Sequence, residues 1–222
     1  MALAYDVETL ALKTTFWIIV MIYLGIIGIL LIIRSLKAEI KSLKETQRAY
    51  AIFLFMYAIG RIFFIFSDYE RLAHSESPLY HQFVIIAYIF IIIGLLIVIY
   101  VLESHVITKT KHVITYIILI LLGVNIIMIF FPHLVPVVRF VNYGLLYAEA
   151  ILILLIYLYL IINTSGRLRT KSTLIALALI CMIVGAILDA DALITARISS
   201  PFYNPILMAI GATLFGYTQM KE

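Results

Sequence analysis

The sequence predicts an all-α integral membrane protein, built as a bundle of seven transmembrane helices. Of its 222 residues, 65% are hydrophobic and 13% are charged, whereas soluble domains average about 45–50% and about 25%. The apolar residues fall into seven segments, each long enough to cross about 30 Å of hydrocarbon. Backbone groups in lipid must bond within the segment, and the runs lack the alternation of barrel strands, so each segment is predicted to be a helix.

Charged residues or prolines bound the seven predicted spans. The longest polar stretch between them is 15 residues, Arg34 to Arg48. This leaves no room for a second folded domain, so residues 1–222 are predicted to form a single membrane domain. The predicted spans are about 14–33, 49–67, 81–102, 113–131, 137–163, 173–195 and 205–219.

The basic residues predict the orientation of the bundle. One side of the predicted topology carries eleven: Arg34, Lys37, Lys41, Lys44, Arg48, Lys109, Lys111, Arg167, Arg169, Lys171 and Lys221. The other side carries four: Lys13, Arg71, Arg139 and Arg197. Since positive charge accumulates on the cytoplasmic side, the N-terminus is predicted to lie outside and the C-terminus in the cytoplasm. The expected location is the plasma (cytoplasmic) membrane, crossed several times.

Two charges of opposite sign lie away from the ends of their predicted spans. A charge near the bilayer centre costs at least about 2.5–3.5 kcal/mol, so it normally faces the bundle interior or water. Arg61 in the second span and Glu149 in the fifth have comparable predicted depths. We therefore expect them to form a buried ion pair, directly or through water. The alternative is a clamp between helices that fixes packing and has no further function.

Helical spacing adds neighbours to these two charges. Tyr57, Arg61 and Asp68 share one face of their helix, and Asn142 shares the face of Glu149. Further along, Asp189 shares a face with Gly185 and Cys181 and is predicted to point inward. Asp191, turned by about 200°, more readily reaches water. The predicted ligand- or ion-binding cluster, opening outward, comprises Arg61, Asp68, Glu149, Asp189, Tyr57, Asn142 and Tyr143.

Several kinds of chemistry lack their signatures in this sequence. There is no H-E-x-x-H motif, Walker loop or G-x-S-x-G elbow, and no histidine pair has metal-ligand spacing with a third donor. We therefore predict no enzyme, no catalytic residue and no metal site. The topology explains the basic excess, so no nucleic-acid partner is expected. The seventh span has no lysine for a retinal Schiff base, so covalent retinal is excluded and no cofactor is predicted.

One stretch carries a family resemblance. The segment Arg61–Glu70 (RIFFIFSDYE), with Glu103 and the run Thr108–Lys111 (TKTK), resembles uncharacterised archaeal seven-transmembrane proteins. These have a rhodopsin- and receptor-like topology, and their layout is similar to that of the membrane sensing modules of histidine kinases. The resemblance implies a signal-input bundle that acts through a separate partner.

Three functions remain open at this level. The first is a receptor-like or sensor-like protein that binds a small ligand, lipid or ion from the outer side. It would signal to a separate cytoplasmic protein through residues Arg34–Arg48 and through the third and fifth loops, which follow the third and fifth predicted spans. The second is a small transporter or proton-coupled carrier that uses the same carboxylates. The third is a structural subunit without a ligand, and a homo-oligomer is compatible with all three.

Overall fold

The computed structural model describes residues 7–74, 77–131, 134–189 and 200–220. These ranges contain seven α-helices, one short 3-10 helix and no β-strand, which confirms the all-α prediction for this part of the chain. The α-helices are α1 (Val7–Lys37), α2 (Lys41–Ala73), α3 (Pro78–His105), α4 (Val113–Met128), α5 (Val135–Asn163), α6 (Gly166–Leu188) and α7 (Tyr203–Met220), and the 3-10 helix is Thr108–Thr110.

Four of these helices are long and apolar enough to cross a membrane. They are Val7–Lys37, Lys41–Ala73, Leu79–His105 and Gly166–Leu188. A shorter apolar helix, Val113–Met128, and the apolar segment Ala150–Asn163 of α5 accompany them in the described chain. The protein is therefore a helical membrane protein. The count of seven spans and the orientation of the termini stay predictions.

Helices α1 and α2 extend well beyond their predicted spans. Helix α1 runs from Val7 to Lys37, against a predicted span of 14–33. Helix α2 begins at Lys41, so the segment 34–48 belongs mostly to helix ends and only residues 38–40 connect them. Hydropathy detects the part of a helix that lies in hydrocarbon. The hydrogen-bond pattern continues into the headgroup layer, where charged side chains stay solvated.

Helix α6 differs from its prediction at both ends. It begins at Gly166 and ends at Leu188, against a predicted span of 173–195. Asp189 follows the last helical residue, and its N–H still bonds to the carbonyl of Gly185. The rest of the predicted span, including Asp191, lies outside the described residues.

The chain divides into two compact units, and the first spans Leu24–Tyr143. In this unit α2 packs against α3, and α3 packs against α4. Glycine permits the close approach of α2 and α3, because a Cβ atom on Gly60 would lie 2.9 Å from the carbonyl oxygen of Ala87. The rings of Phe63 and Phe90 stack at 5.5 Å between the same two helices. The prediction of a single domain stays a prediction.

The second unit combines Leu3–Tyr23 with Gly144–Glu222. Helix α6 packs against α7, and a Cβ atom on Gly211 would lie 2.8 Å from the carbonyl oxygen of Ala178. The N-terminal part of α1 also contacts α7, since the hydroxyl groups of Tyr23 and Thr213 are 2.9 Å apart. The second unit is thus organised around α1, α6 and α7.

Helix α1 buries one stripe of residues at spacings of three and four. The stripe consists of Leu10, Lys13, Trp17, Val20, Leu24, Ile27 and Leu31. The other face exposes apolar side chains such as Ile19 and Ile22, each 61% exposed, as expected of a helix surrounded by lipid. Every member of the buried stripe is apolar except Lys13, so this lysine requires a partner in the interior.

Candidate functional site

Lys13 meets its partner at the end of α6. Its ammonium nitrogen lies 3.0 Å from Oδ1 of Asp189, and the two side chains are 5% and 13% exposed. The second carboxylate oxygen, Oδ2, accepts a hydrogen bond of 3.0 Å from the amide nitrogen of Asn204, in the first turn of α7. One carboxylate therefore joins three helices of the second unit. We call Lys13, Asp189 and Asn204 the polar cluster.

Local sequence explains how these side chains come together. Gly185 lies one turn before Asp189 on α6, and a Cβ atom there would lie 3.1 Å from Oδ1 of Asn204. Glycine at this position therefore allows the first turn of α7 to approach closely. Pro205 follows Asn204 within that first turn, where its missing N–H group leaves no helix hydrogen bond unmade.

The helix ends favour the observed charges. The C-terminus of α6 carries partial negative charge from its last carbonyl groups, and the Asp189 carboxylate adds to it. The positive charge of the Lys13 ammonium offsets the negative charge of the carboxylate and of the helix C-terminus. A lysine near the end of a membrane helix can usually extend its side chain to the headgroup layer. Lys13 is instead 4% exposed, so its burial reflects attraction to the carboxylate.

One acceptor of the polar cluster is left over. Because only the NH2 group of Asn204 can donate to the carboxylate, the amide orientation is fixed and Oδ1 points away from Asp189. This oxygen is buried and has no hydrogen-bond partner among the residues described. A buried unsatisfied acceptor costs about 1–3 kcal/mol. The polar cluster thus offers a cation, a carboxylate and an open carbonyl oxygen, which suit a ligand carrying N–H or O–H donors or a transferable proton.

Trp17 lies one turn from Lys13 on the same face of α1. Its side chain is completely buried, and it is the single tryptophan of the chain. It is separated from Lys13 by one helical turn, about 6 Å along the axis, so its fluorescence can report on events at the polar cluster.

Asp189 is the one predicted site residue that belongs to the polar cluster. Arg61 lies in the first unit, where it is 7% exposed and its guanidinium carbon is 5.7 Å from the centre of the Phe64 ring. On the same helix, Tyr57 and Asp68 are half-buried. The prediction that Asp189 points inward agrees with its contacts. The ligand-binding role of all these residues stays a prediction.

The predicted pair of Arg61 and Glu149 remains open. The backbone of Glu149 lies in α5, but its side chain is outside the described part of the structure, as is that of Tyr143. Within the described residues, Arg61 already takes part in a polar or aromatic contact, so it is not without a partner there. The pairing therefore stays a prediction.

Asn142, also a predicted site residue, forms a closed pair with Asn125. The amide nitrogen of Asn125 donates to Oδ1 of Asn142 at 2.9 Å and to the carbonyl of Leu121 at 3.0 Å. In return, the amide nitrogen of Asn142 donates to Oδ1 of Asn125 at 2.6 Å. Both side chains are 0% exposed. The two side-chain amides thus satisfy each other's hydrogen bonds, and the pair links α4 to α5.

Glu103, one of the residues that carry the family resemblance, has a local structural task. Its carboxylate accepts hydrogen bonds from the backbone N–H groups of Ile114 at 3.1 Å and Thr115 at 2.8 Å. These are first-turn donors of α4 that have no partner within the helix. Glu103 is 1% exposed, so it acts as a buried cap that ties α4 to the end of α3.

Sequence reasoning missed Lys13, Asn204 and Asn125. Lys13 was counted among the topology-setting charges, although its place in the 3–4 stripe of α1 signals burial. Asn204 directly precedes the predicted seventh span, and no site role was predicted for it. Asn125 is a strongly polar residue within an otherwise apolar span, which is the signal that could have identified it.

No family model, curated protein or solved structure matches this chain. Its class, a helical membrane protein, rests on the four long apolar helices. Evidence for its function comes from the chemistry of the polar cluster.

Proposed function

We propose that the protein is a receptor-like or sensor-like membrane protein whose signal enters at the polar cluster. A small ligand, lipid or ion arriving from the outer side acts on Lys13, Asp189 and Asn204. The response then passes to a separate cytoplasmic partner. The observation that carries the proposal is the buried ion pair at 3.0 Å, with an open acceptor oxygen beside it.

The energetics of the ion pair favour a functional role. Replacing a buried pair by apolar residues of similar volume is often neutral or stabilising. Lys13 and Asp189 therefore need a reason beyond stability to persist among apolar neighbours. A ligand that competes for either charge changes the attraction between α1 and α6, which is the kind of difference that shifts a helix bundle between two packings.

The position of the polar cluster favours access from the outer side. Lys13 and Asn204 each directly precede a predicted span, the first and the seventh, at the end predicted to lie outside. A ligand would therefore have to pass only the headgroup layer to reach them. Partner binding is proposed for the opposite end, through residues Arg34–Arg48 and the third and fifth loops, whose basic side chains suit an acidic surface.

The native fluorescence of Trp17 provides the test. The protein is reconstituted in vesicles, and three probe classes are added outside: alkali cations, small alkylammonium ions and polyols. We expect one class to shift the Trp17 emission of the wild type. Asn204→Ala should abolish the shift because it removes the open acceptor and leaves the ion pair in place. The matched control is Asn163→Ala, which alters an exposed asparagine at the end of α5 and should respond like the wild type.

Two results contradict the sensor proposal. One is a wild-type emission that no probe class changes. The other is a shift of equal size in Asn204→Ala. Either result would return the polar cluster to a purely structural role, the third of the functions that the sequence leaves open.

A proton-coupled carrier is the second candidate, favoured by the contact between a basic and an acidic group that can exchange a proton. It predicts a proton flux in vesicles loaded with a pH-sensitive dye, and Asp189→Asn should eliminate that flux. A sensor predicts no flux in the wild type. The dye measurement therefore separates the two candidates without knowledge of the natural ligand.

A further inference from the structure

The connection between α1 and α2 carries exposed apolar and basic side chains side by side. Leu36 and Ile40 are 64% and 65% exposed, and Lys37 is exposed as well. The side chain of Lys41 is 84% exposed, and Lys44 is half-buried. We call residues 36–44 the tip.

Helix lengths give the depth of the tip in the bilayer. The apolar run of α1 ends at Ile33, so Lys37 lies about 6 Å beyond it at about 1.5 Å per residue. The apolar run of α2 begins at residue 49, so Lys44 lies about 7.5 Å and Lys41 about 12 Å before it. The headgroup layer is about 5–8 Å thick on each side of the hydrocarbon. Lys37 and Lys44 therefore lie within this layer, and Lys41 lies about 4 Å beyond it, a distance that its long side chain can span.

The charge of the tip is positive at this depth. Residues 34–48 contain five basic side chains and two acidic ones, Glu39 and Glu45. Glu45 is engaged by His105, whose Nε2 lies 2.6 Å from its carboxylate, and more loosely by Lys41 at 3.8 Å. At the start of α2, Ile40 offers no side-chain acceptor to the helix amides, and the first turn contains no acidic residue. The helix dipole therefore adds to the positive charge of the lysines.

We propose that the tip is a binding site for anionic phospholipid. Lys37, Lys41 and Lys44 bind the phosphate, while Leu36 and Ile40 contact the upper part of the acyl chains. The exposed apolar pair Leu36 and Ile40 beside the lysines favours lipid over a protein partner, because at this depth acyl chains and phosphates lie next to each other. The proposal does not depend on the polar cluster. It does claim residues 36–44 of the segment proposed above for the cytoplasmic protein, which would then bind through the third and fifth loops.

Native mass spectrometry of the full-length protein tests this site. The protein is purified from mixed bilayers of phosphatidylcholine and phosphatidylglycerol, and the retained lipids are counted. Each basic residue near an anionic surface contributes about fivefold in affinity, roughly 1 kcal/mol. The variant Lys37→Gln/Lys41→Gln/Lys44→Gln should therefore weaken phosphatidylglycerol retention by at least about tenfold. The arginine variant Lys37→Arg/Lys41→Arg/Lys44→Arg should retain it.

The matched control removes three basic residues elsewhere: Arg167→Gln/Arg169→Gln/Lys171→Gln. It should lose far less phosphatidylglycerol than the triple-lysine variant. Leu36→Gln/Ile40→Gln should cause a smaller loss than the lysine changes. Inorganic phosphate in solution should not displace the lipid, because it lacks acyl chains for the two apolar residues.

Four results would overturn the proposal. The triple-lysine variant could retain as much phosphatidylglycerol as the wild type. The control Arg167→Gln/Arg169→Gln/Lys171→Gln could lose as much phosphatidylglycerol as the triple-lysine variant. Inorganic phosphate could displace the lipid, which would indicate a general anion site. Leu36→Gln/Ile40→Gln could leave retention unchanged, which would exclude the acyl contact. Thermal unfolding curves of each variant confirm that the protein compared is folded.

Discussion

Two buried polar sites of the protein, one in each compact unit, differ in kind. In the first unit, Asn125 and Asn142 exchange hydrogen bonds of 2.9 and 2.6 Å and are 0% exposed. In the second unit, Lys13 and Asp189 carry full charges, and Asn204 keeps an acceptor oxygen open. The asparagine pair is neutral and closed, whereas the polar cluster is charged and incomplete.

This difference indicates where function is to be sought. A neutral amide pair with its hydrogen bonds made has little left to offer a ligand, so it serves packing and the alignment of α4 with α5. A charged pair responds to protons, ions and competing charges. The predictions below measure whether the two regions differ in energy as they do in chemistry.

The largest effect is expected for the ion pair. Lys13→Met or Asp189→Leu alone leaves the other charge buried, and each should lower the free energy of unfolding by about 3–5 kcal/mol. The double variant removes both charges and should return to within about 1 kcal/mol of the wild type, since apolar replacement of a whole pair is often neutral. Reversible unfolding in mixed detergent micelles measures all three variants. A double variant whose loss equals the sum of the two single losses would show that the residues act independently, which would contradict the ion pair.

A smaller effect is expected for the asparagine pair. Asn142→Leu leaves the buried amide of Asn125 without its partner, and the free energy of unfolding should fall by about 1–2 kcal/mol. Asn125→Leu/Asn142→Leu should recover most of this loss, because both polar groups are then gone. The same unfolding assay compares the two regions directly. If Asn142→Leu cost more than Lys13→Met, the proposed contrast between the two sites would be wrong.

The smallest effect is expected for the close packing of α6 against α7. Gly211→Ala places a methyl group 2.8 Å from the Ala178 carbonyl and from Met182 Cγ, and should destabilise the protein by about 1 kcal/mol. The control is Gly25→Ala in α1, where no atom lies within 4 Å of the added carbon. That variant should be neutral or slightly stabilising, since alanine favours helices. Equal stability of the two variants would contradict the tight contact of α6 and α7.

Part of the structure could be predicted from the sequence. Hydropathy located a helix for each predicted span, because lipid leaves a continuous apolar segment no other way to bond its backbone. It also missed helix ends, such as Val7–Lys13, since charged residues in the headgroup layer prolong a helix without an apolar signal. The inward direction of Asp189 followed from its helical face, shared with Gly185.

The partners of the buried residues could not be predicted in this way. Periodicity indicates which face of a helix is buried, yet it says nothing about which helix lies opposite. Lys13 and Asp189 are separated by most of the chain, and only the packing of the second unit brings them to 3.0 Å. The same holds for Asn125, which seemed an isolated polar residue until the structure placed it against Asn142.

By itself, the sequence determined the class of this protein, because the solvation of apolar residues and backbone groups depends on composition and order along the chain. Tertiary structure decided which polar groups meet. Hydrogen bonds and ion pairs act over about 3 Å, and such distances are set by the arrangement of helices in space. The class of the protein is thus a property of its chain, and the polar cluster is a property of its fold.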